Sequence, residues 1–261
     1  MSATKTIVIT GASGGIGAAL ARVLAEQHHT LALVARREKE LNEVGIASQK
    51  TGASGVACFV ADVTKRGDVE RVASETIKRF GGFDVWVNNA GRGITREVLE
   101  LTDADMDEMY AVNVKSAVYG MQVAARHFLT RDSGQIINVS SFLGRVPLAS
   151  YRSAYSAAKA ALNSLTANLR TDLATKSKHI HVTLVMPGVV TTDFARNVVG
   201  EPKAPITGRG PTPQTPEDVA GVIAAVIRKP VAEVYTSPGS PPIVKAYQDD
   251  IAGFEGRMRE R

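Results

Sequence analysis

The chain has 261 residues, 44% hydrophobic and 22% charged, with one cysteine and a formal net charge of +5. These values exclude a disulfide scaffold, a cysteine-based zinc site, and a globally disordered, collagenous or coiled-coil chain. The sequence pI of about 9.3 invites a nucleic-acid reading, but residues 1–60 carry six basic and four acidic side chains and residues 241–261 four of each, so the expectation is a mildly basic solvated surface and no nucleic-acid partner.

Strand-like apolar runs fall at 6–10, 31–34, 56–60, 85–88, 135–139, 181–185 and 233–235. Helical patterns alternate with them near 15–27, 37–50, 66–80, 103–129, 154–176 and 216–228. Strands alternating with helices predict βαβ units and a parallel sheet with helices on both faces. Continuous apolar runs such as Ile7-Val8-Ile9 suit strands buried on both sides. The expected fold is therefore α/β: a Rossmann-like, doubly wound, mainly parallel seven-stranded sheet in a single domain over 1–261. The first residues run straight into strand one, so no signal peptide is expected. No run of about 18 apolar residues suggests a membrane span. A cytoplasmic protein is expected.

Strand one ends in Thr10-Gly11-Ala12-Ser13-Gly14-Gly15-Ile16-Gly17 and opens a helix. Free backbone N–H groups, the helix dipole and glycines that admit close approach make such a turn an anion site suited to a pyrophosphate. The spacing is Gly-x-x-x-Gly-x-Gly, and no Lys-Ser/Thr follows, so it is not a Walker A loop. A tight strand–helix turn with no ligand is the bland alternative.

Strand two ends Leu33-Val34-Ala35-Arg36-Arg37, with no acid between Leu31 and Arg37. In dinucleotide folds an acidic residue here accepts the ribose 2′-hydroxyl, whereas arginine accommodates a 2′-phosphate. NADP(H) is therefore preferred over NAD(H), with Arg36 as the main contact and Arg37 or Ser13 assisting. Two solvated arginines at a helix start are the alternative.

Cys58 reads as a buried inert thiol within strand three, and Trp86 as core. His28 and His29 read as surface chemistry at a helix C-terminus. None of the five histidines shows metal-ligand spacing, and no metal is expected.

Tyr155 and Lys159 stand at i and i+4 at the start of a helical run and share a face. A nearby ammonium is expected to lower the tyrosine pKa and make the phenol a usable acid or base. With six tyrosines in the chain, the spacing alone says little. Its place after strand 135–139 and Ser140-Ser141 gives it weight, because open α/β sheets bind ligands at the carboxyl ends of their strands.

The stretch 190–215 is rich in glycine and proline and is expected to be a substrate loop. Arg196, Lys203 and Arg209, opposed by Asp193 and Glu201, make it a candidate patch for an anionic or carrier-linked substrate; a solvated loop is the alternative. Tyr151, Phe142 and Phe194 are candidate substrate-pocket residues, though Tyr151 could equally be a surface aromatic. Pocket shape is expected to come from this loop and from residues 92–99 and 142–151. Near the end, Ser240 reads as an N-cap with proline in the first turn. Ile243, Val244, Tyr247, Ile251, Phe254 and Met258 then form one apolar stripe on a helix over 240–259.

Together these residues resemble the short-chain dehydrogenase/reductase family. The resemblance rests on an ordered set spanning residues 10–192: Thr10–Gly17, Asp62-Val63, Asn88-Asn89-Ala90-Gly91, Asn113, Ser141, Tyr155–Lys159 and Pro187-Gly188-Val189-Val190-Thr191-Thr192. It implies a carbonyl reductase using NADP(H), with Tyr155 as acid/base, Lys159 supporting it and holding the nicotinamide ribose, and Ser141 bonding the substrate oxygen. Ser141 is preferred to Ser140 because Phe142-Leu143-Gly144 follows it. Asn113 would support a water next to Lys159. Gly11, Ser13, Gly15, Ile16 and Gly17 would cradle the phosphates, and Asp62 and Val63 would meet the adenine. Asn89, Ala90 and Gly91 would line the adenosine side, and Pro187, Gly188, Val190 and Thr192 would hold the carboxamide. Asn113 as a backbone-bonding helix residue, Asn88-Asn89 as a strand cap and Pro187-Gly188 as a mere turn remain open.

The family also implies a small-molecule substrate and a homodimer or homotetramer. Many members end in a Val-Asp-Gly-Gly segment that packs across a tetramer axis; this chain departs from that, which puts the tetramer and the common ketoacyl thioester substrate in question. A non-catalytic NADP-binding sensor and a nucleotide-sugar epimerase or dehydratase are rival readings. A full Asn-Ser-Tyr-Lys set disfavours the first and the glycine spacing the second.

Overall fold

The structure is a computed structural model that describes residues 4–192, 194, 198–201 and 213–259, with side chains as far as Arg257. The basic residues Arg196, Lys203 and Arg209, with Asp193, lie outside the described residues, as does the Met258 side chain.

Seven strands form one sheet: β1 (Thr6–Thr10), β2 (Thr30–Ala35), β3 (Gly55–Val60), β4 (Val85–Asn88), β5 (Gly134–Val139), β6 (Ile180–Met186) and β7 (Glu233–Tyr235). Their order is β3-β2-β1-β4-β5-β6-β7, and every pairing is parallel. The connecting helices are α1 (Gly15–Glu26), α2 (Glu38–Thr51), α3 (Arg66–Phe80), α4 (Asp103–Tyr110), α5 (Ser116–Arg131), α6 (Ser153–Ala174) and α7 (Pro216–Arg228).

The period-two alternation of the strands divides the core into two layers. Ile7, Ile9, Leu31, Leu33, Val85 and Val87 pack with Leu20 and Leu24 of α1, Leu41 of α2 and Ile223 of α7. Val8, Ala32, Val34, Trp86 and Ile136 pack with Val69 and Val72 of α3, Phe128 of α5 and Leu162 of α6. The doubly wound expectation holds, with a fully parallel sheet. Among the described residues no helix is long and apolar enough to cross a membrane.

The sheet order reverses between β1 and β4, and the crevice at that switch point is where an open α/β sheet offers a site. Thr10 ties the two strands together there. Its hydroxyl donates to Val87 O at 3.1 Å and accepts from Asn89 N at 2.9 Å and Ala90 N at 3.1 Å.

A buried polar chain fixes the next elements. Trp86 Nε1 donates to Asn88 Oδ1 at 2.8 Å, Asn88 Nδ2 to Asn138 Oδ1 at 2.8 Å, and Asn138 Nδ2 to Thr166 Oγ1 at 2.9 Å. It joins β4 and β5 to α6, and each buried amide finds the partner that burial demands.

Several local expectations are corrected. The helical pattern near 103–129 holds over 103–131, but it carries a π turn at 111–115 between α4 and α5 that the spacing did not show. His29 is buried, not a surface residue, because its Nδ1 accepts from Lys5 N at 3.1 Å; burial is the main cause of its lowered pKa. Cys58 is half-buried because β3 is an edge strand; its thiol lies 3.5 Å from Leu41 O, and burial pushes its pKa up.

The C-terminal helix over 240–259 is two helices, α8 (Ser240–Asp249) and α9 (Ile251–Arg259). They break at Asp250, which leaves helical backbone and accepts from Gly253 N at 2.9 Å through its own side chain. Ser240 is the first helical residue rather than the N-cap, and its buried hydroxyl has no hydrogen-bond partner among the described residues. The stripe folds onto its own chain: Val244, Ile243, Tyr247 and Phe254 pack with Phe142 and Val146, while Ile251 stays exposed.

Candidate active site

One cavity of about 620 Å³ runs along the carboxyl edge of the sheet. Its walls bring together Gly11, Ser13, Gly15, Ile16, Arg36, Arg37, Asp62, Val63, Asn89, Ala90, Gly91, Ser141, Phe142, Tyr151, Tyr155, Lys159, Pro187, Gly188, Val190, Thr192 and Phe194. Of the residues singled out in the sequence, Gly17 and Asn113 do not line it. Gly17 lies beneath the turn, where a Cβ would overlap Gly11 O. It permits close strand–helix packing rather than touching a ligand.

The glycine turn fits a dinucleotide. Gly11 has φ +68°, and a Cβ there would come within 2.9 Å of Ala90 Cα. Helix α1 has no side-chain cap and no acid in its first turn, so its N-terminal N–H groups and dipole face the cavity uncompensated. Across it, Thr192 Cγ2 would sit 3.4 Å from a Cβ on Gly15, so the 187–192 segment covers the turn.

At the end of the cavity beside β2 and β3, Arg37 Nε donates to Ser13 Oγ at 3.2 Å, and its Nη1 pairs with Glu40 at 3.5 Å. Arg36 is exposed on the cavity wall. Asp62 accepts from Thr64 N and Thr64 Oγ1 at 3.1 and 2.8 Å, which fixes its carboxylate beside Val63. Asn89 Nδ2 donates to Thr10 O at 2.9 Å, so Asn89 braces the turn from behind.

At the other end the polar side chains converge. Ser141 lies two residues past the end of β5, and its hydroxyl hydrogen-bonds the Tyr155 phenol and accepts from Leu143 N at 3.1 Å. Ser140 is used differently: its hydroxyl donates to Asn163 Oδ1 at 2.5 Å and is buried. Tyr155 is 8% exposed and Lys159 3%. Lys159 Nζ donates to Val139 O at 3.0 Å and stands 5.6 Å from the Tyr155 ring centroid.

The expected lowering of the tyrosine pKa is not what this arrangement gives. Burial pushes the Tyr155 phenol up to about 12, offset in part by the Ser141 hydrogen bond and the Arg152 charge. Burial likewise pulls the Lys159 ammonium down to about 8. Desolvation is the leading cause for both groups.

Asn113 sits in the π turn, a device found often at functional sites. Its amide donates to Arg92 O at 2.9 Å and Met109 O at 3.1 Å, and its Oδ1 accepts from Arg92 N at 3.3 Å. Gly91 separates it from Lys159: a Cβ there would lie 2.9 Å from Asn113 Oδ1 and 3.5 Å from Lys159 Nζ. The segments expected to shape the pocket pair with one another, Ile94 with Val199 and Arg96 with Arg152. Tyr155 and Phe194 are in ring contact at 5.6 Å. Among the described residues no cluster of His, Cys, Asp or Glu could hold a metal ion.

Sequence reasoning included Thr10 in the glycine motif but gave it no role of its own, and it missed Arg152. Arg152 lines the cavity three positions before Tyr155.

Residues 5–203 match the family model described as short chain dehydrogenase. An uncharacterized oxidoreductase of Bacillus subtilis, YxnA, is 37% identical over 191 residues, which are 73% of this chain and 53% of that protein. The matched stretch therefore spans about half the length of that relative. An alcohol dehydrogenase from the archaeon Thermococcus sibiricus, complexed with 5-hydroxy-NADP, is similar with a TM-score of 0.77 and 28% identity over 89% of this chain and 96% of that one. A short chain dehydrogenase/reductase from Burkholderia phymatum in complex with NAD is similar with a TM-score of 0.84 and 26% identity over 95% of this chain and 94% of that one.

Proposed function

The chain belongs to the short chain dehydrogenase family, and on that footing we propose that it is an NADP(H)-dependent oxidoreductase that reduces a ketone or aldehyde carbonyl to an alcohol, or runs the reverse. One observation carries this reading: the Ser141 hydroxyl is bonded to a buried Tyr155 phenol on the wall of a cavity that also holds Lys159 and the glycine turn. The bound nicotinamide would supply the hydride.

The phosphates would lie on Gly11, Ser13, Gly15 and Ile16 at the α1 N-terminus. Arg36, with Arg37 and Ser13, would take the 2′-phosphate by charge-assisted hydrogen bonds. Asp62 and Val63 would bound the adenine, and Asn89, Ala90 and Gly91 the adenosine side. Pro187, Gly188, Val190 and Thr192 would hold the carboxamide.

Tyr155 is suited to donate. A phenol held near 12 is protonated at neutral pH, so it can pass its proton to a carbonyl oxygen as negative charge develops there. Ser141 would hold that oxygen by a hydrogen bond that strengthens in the transition state. Lys159 would place its ammonium beside the ribose and the phenol, and Asn113 would fix the 91–92 backbone against it. In the reverse direction Tyr155 would have to give up its own proton first and take the alcohol proton as the phenolate, which favours reduction at neutral pH.

The test is NADPH oxidation by the purified protein across ketones, aldehydes, keto-acyl thioesters, steroids and quinones. The expected result is turnover of at least one carbonyl class, reduced about 100-fold or more in Tyr155→Phe. NADPH binding with no turnover of any carbonyl would show a binding protein instead.

A further inference from the structure

Of four arginines carried on the segments near Tyr155, Arg92 and Arg152 line the cavity, and all but Arg152 have carboxylate partners among the described residues. Arg92 pairs with Glu108, Arg96 with Asp105 at 3.0 Å, and Arg145 with Glu233 at 2.8 Å. Arg152 has none among the described residues, yet it is half-buried and on the cavity wall. A desolvated guanidinium without a counter-charge is costly to keep. Its own burial lowers its pKa.

The position is held firmly. Arg152 N donates to Ala149 O at 2.8 Å, and its Nη1 donates to Ile94 O at 3.1 Å. Its Cζ lies 5.4 Å from the centroid of the Tyr151 ring. Arg152 is the residue that leads into α6, three positions before Tyr155, and both line the same cavity. The neighbouring cavity wall is apolar, formed by Phe142, Leu148 and Phe194.

We propose that Arg152 anchors a carboxylate on the substrate, so that the preferred substrates are oxo-acids, and in reverse hydroxy-acids, with an apolar chain between the reacting carbon and the acid. This rests on the oxidoreductase reading of the same site. Nη1 of the guanidinium is committed to Ile94 O and a further hydrogen bond goes to the Tyr151 side chain, and the donors left over suit a carboxylate oxygen. The apolar wall accepts the intervening chain.

The test uses levulinate and its next two longer homologues, each beside its methyl ester, as substrates for the full chain with NADPH. Wild type should show kcat/KM at least about tenfold higher for an acid than for its ester, read mainly in KM. Arg152→Met should bring that ratio to about one, and Arg152→Lys should retain part of the preference. Because the readout is a ratio, any general loss from disturbing Tyr155 cancels. Esters reduced as well as acids by wild type, or an unchanged ratio in Arg152→Met, would overturn the proposal.

If no carbonyl is turned over, the oxidoreductase reading fails and the anchor is read by calorimetric titration of the same acids into the NADPH-loaded protein. Saturable binding lost in Arg152→Met supports the anchor, and no saturable binding refutes it.

Discussion

The Ser141 hydroxyl reaches from just past the end of β5 to the Tyr155 phenol in the first turn of α6, while the hydroxyl of its neighbour Ser140 turns the other way to Asn163 at 2.5 Å. The two serines should therefore separate chemistry from stability. Ser141→Ala is expected to lower kcat about 100-fold with little change in the urea midpoint. Ser140→Ala should leave Asn163 Oδ1 short of a donor and cost about 1–3 kcal/mol of unfolding free energy. Equal losses of kcat in the two variants would contradict this division.

Lys159 carries a pH signature. Its pKa falls from the ordinary 10.5 to about 8 on folding, so the native state disfavours its charged form. Below about pH 8 the ammonium is charged in both states and the penalty is complete; it is relieved as pH rises toward 10.5, because the unfolded chain then binds the extra proton. Wild type should thus gain stability relative to Lys159→Met across that window, by on the order of 3 kcal/mol. Urea midpoints of the two proteins measured as a function of pH provide the check; a constant difference contradicts the burial effect. Carbonyl reduction by wild type should decline above about pH 8 as the ammonium is lost.

Arg36 should decide the cofactor. Arg36→Asp is expected to weaken NADPH binding and narrow the NADPH/NADH preference about 10-fold or more, since a carboxylate repels a 2′-phosphate and accepts a ribose hydroxyl. Fluorescence titration with both cofactors measures it. An unchanged ratio would remove Arg36 from the site.

Thr10 should matter to both halves of the sheet. Thr10→Val keeps the shape but leaves the N–H groups of Asn89 and Ala90 without their acceptor. A loss of about 1–3 kcal/mol is expected, with weaker NADPH binding. Thermal unfolding with and without NADPH tests it; a variant as stable as wild type would show the bridge to be dispensable.

The strands, the glycine turn and the Tyr155–Lys159 face were legible because each is a local pattern: alternation, a cluster at a strand end, an i to i+4 spacing. Features missed or misread depend on distant partners. His29 reads as surface chemistry until β1 is laid beside it and Lys5 N claims its nitrogen. The apolar stripe runs through Asp250 without a gap in spacing, and only that residue's bond to Gly253 N breaks the helix. Tyr155 and Lys159 were placed correctly on one face, but their proton affinities follow burial, which no spacing reports.

The polar chain from Trp86 through Asn88 and Asn138 to Thr166 has an optical consequence. Trp86 is the only tryptophan in the chain, and its indole N–H is the first link. All intrinsic tryptophan emission therefore comes from one ring in β4, coupled by three hydrogen bonds to the helix that carries Tyr155. Its emission wavelength is a built-in gauge of how tightly α6 is seated against the sheet.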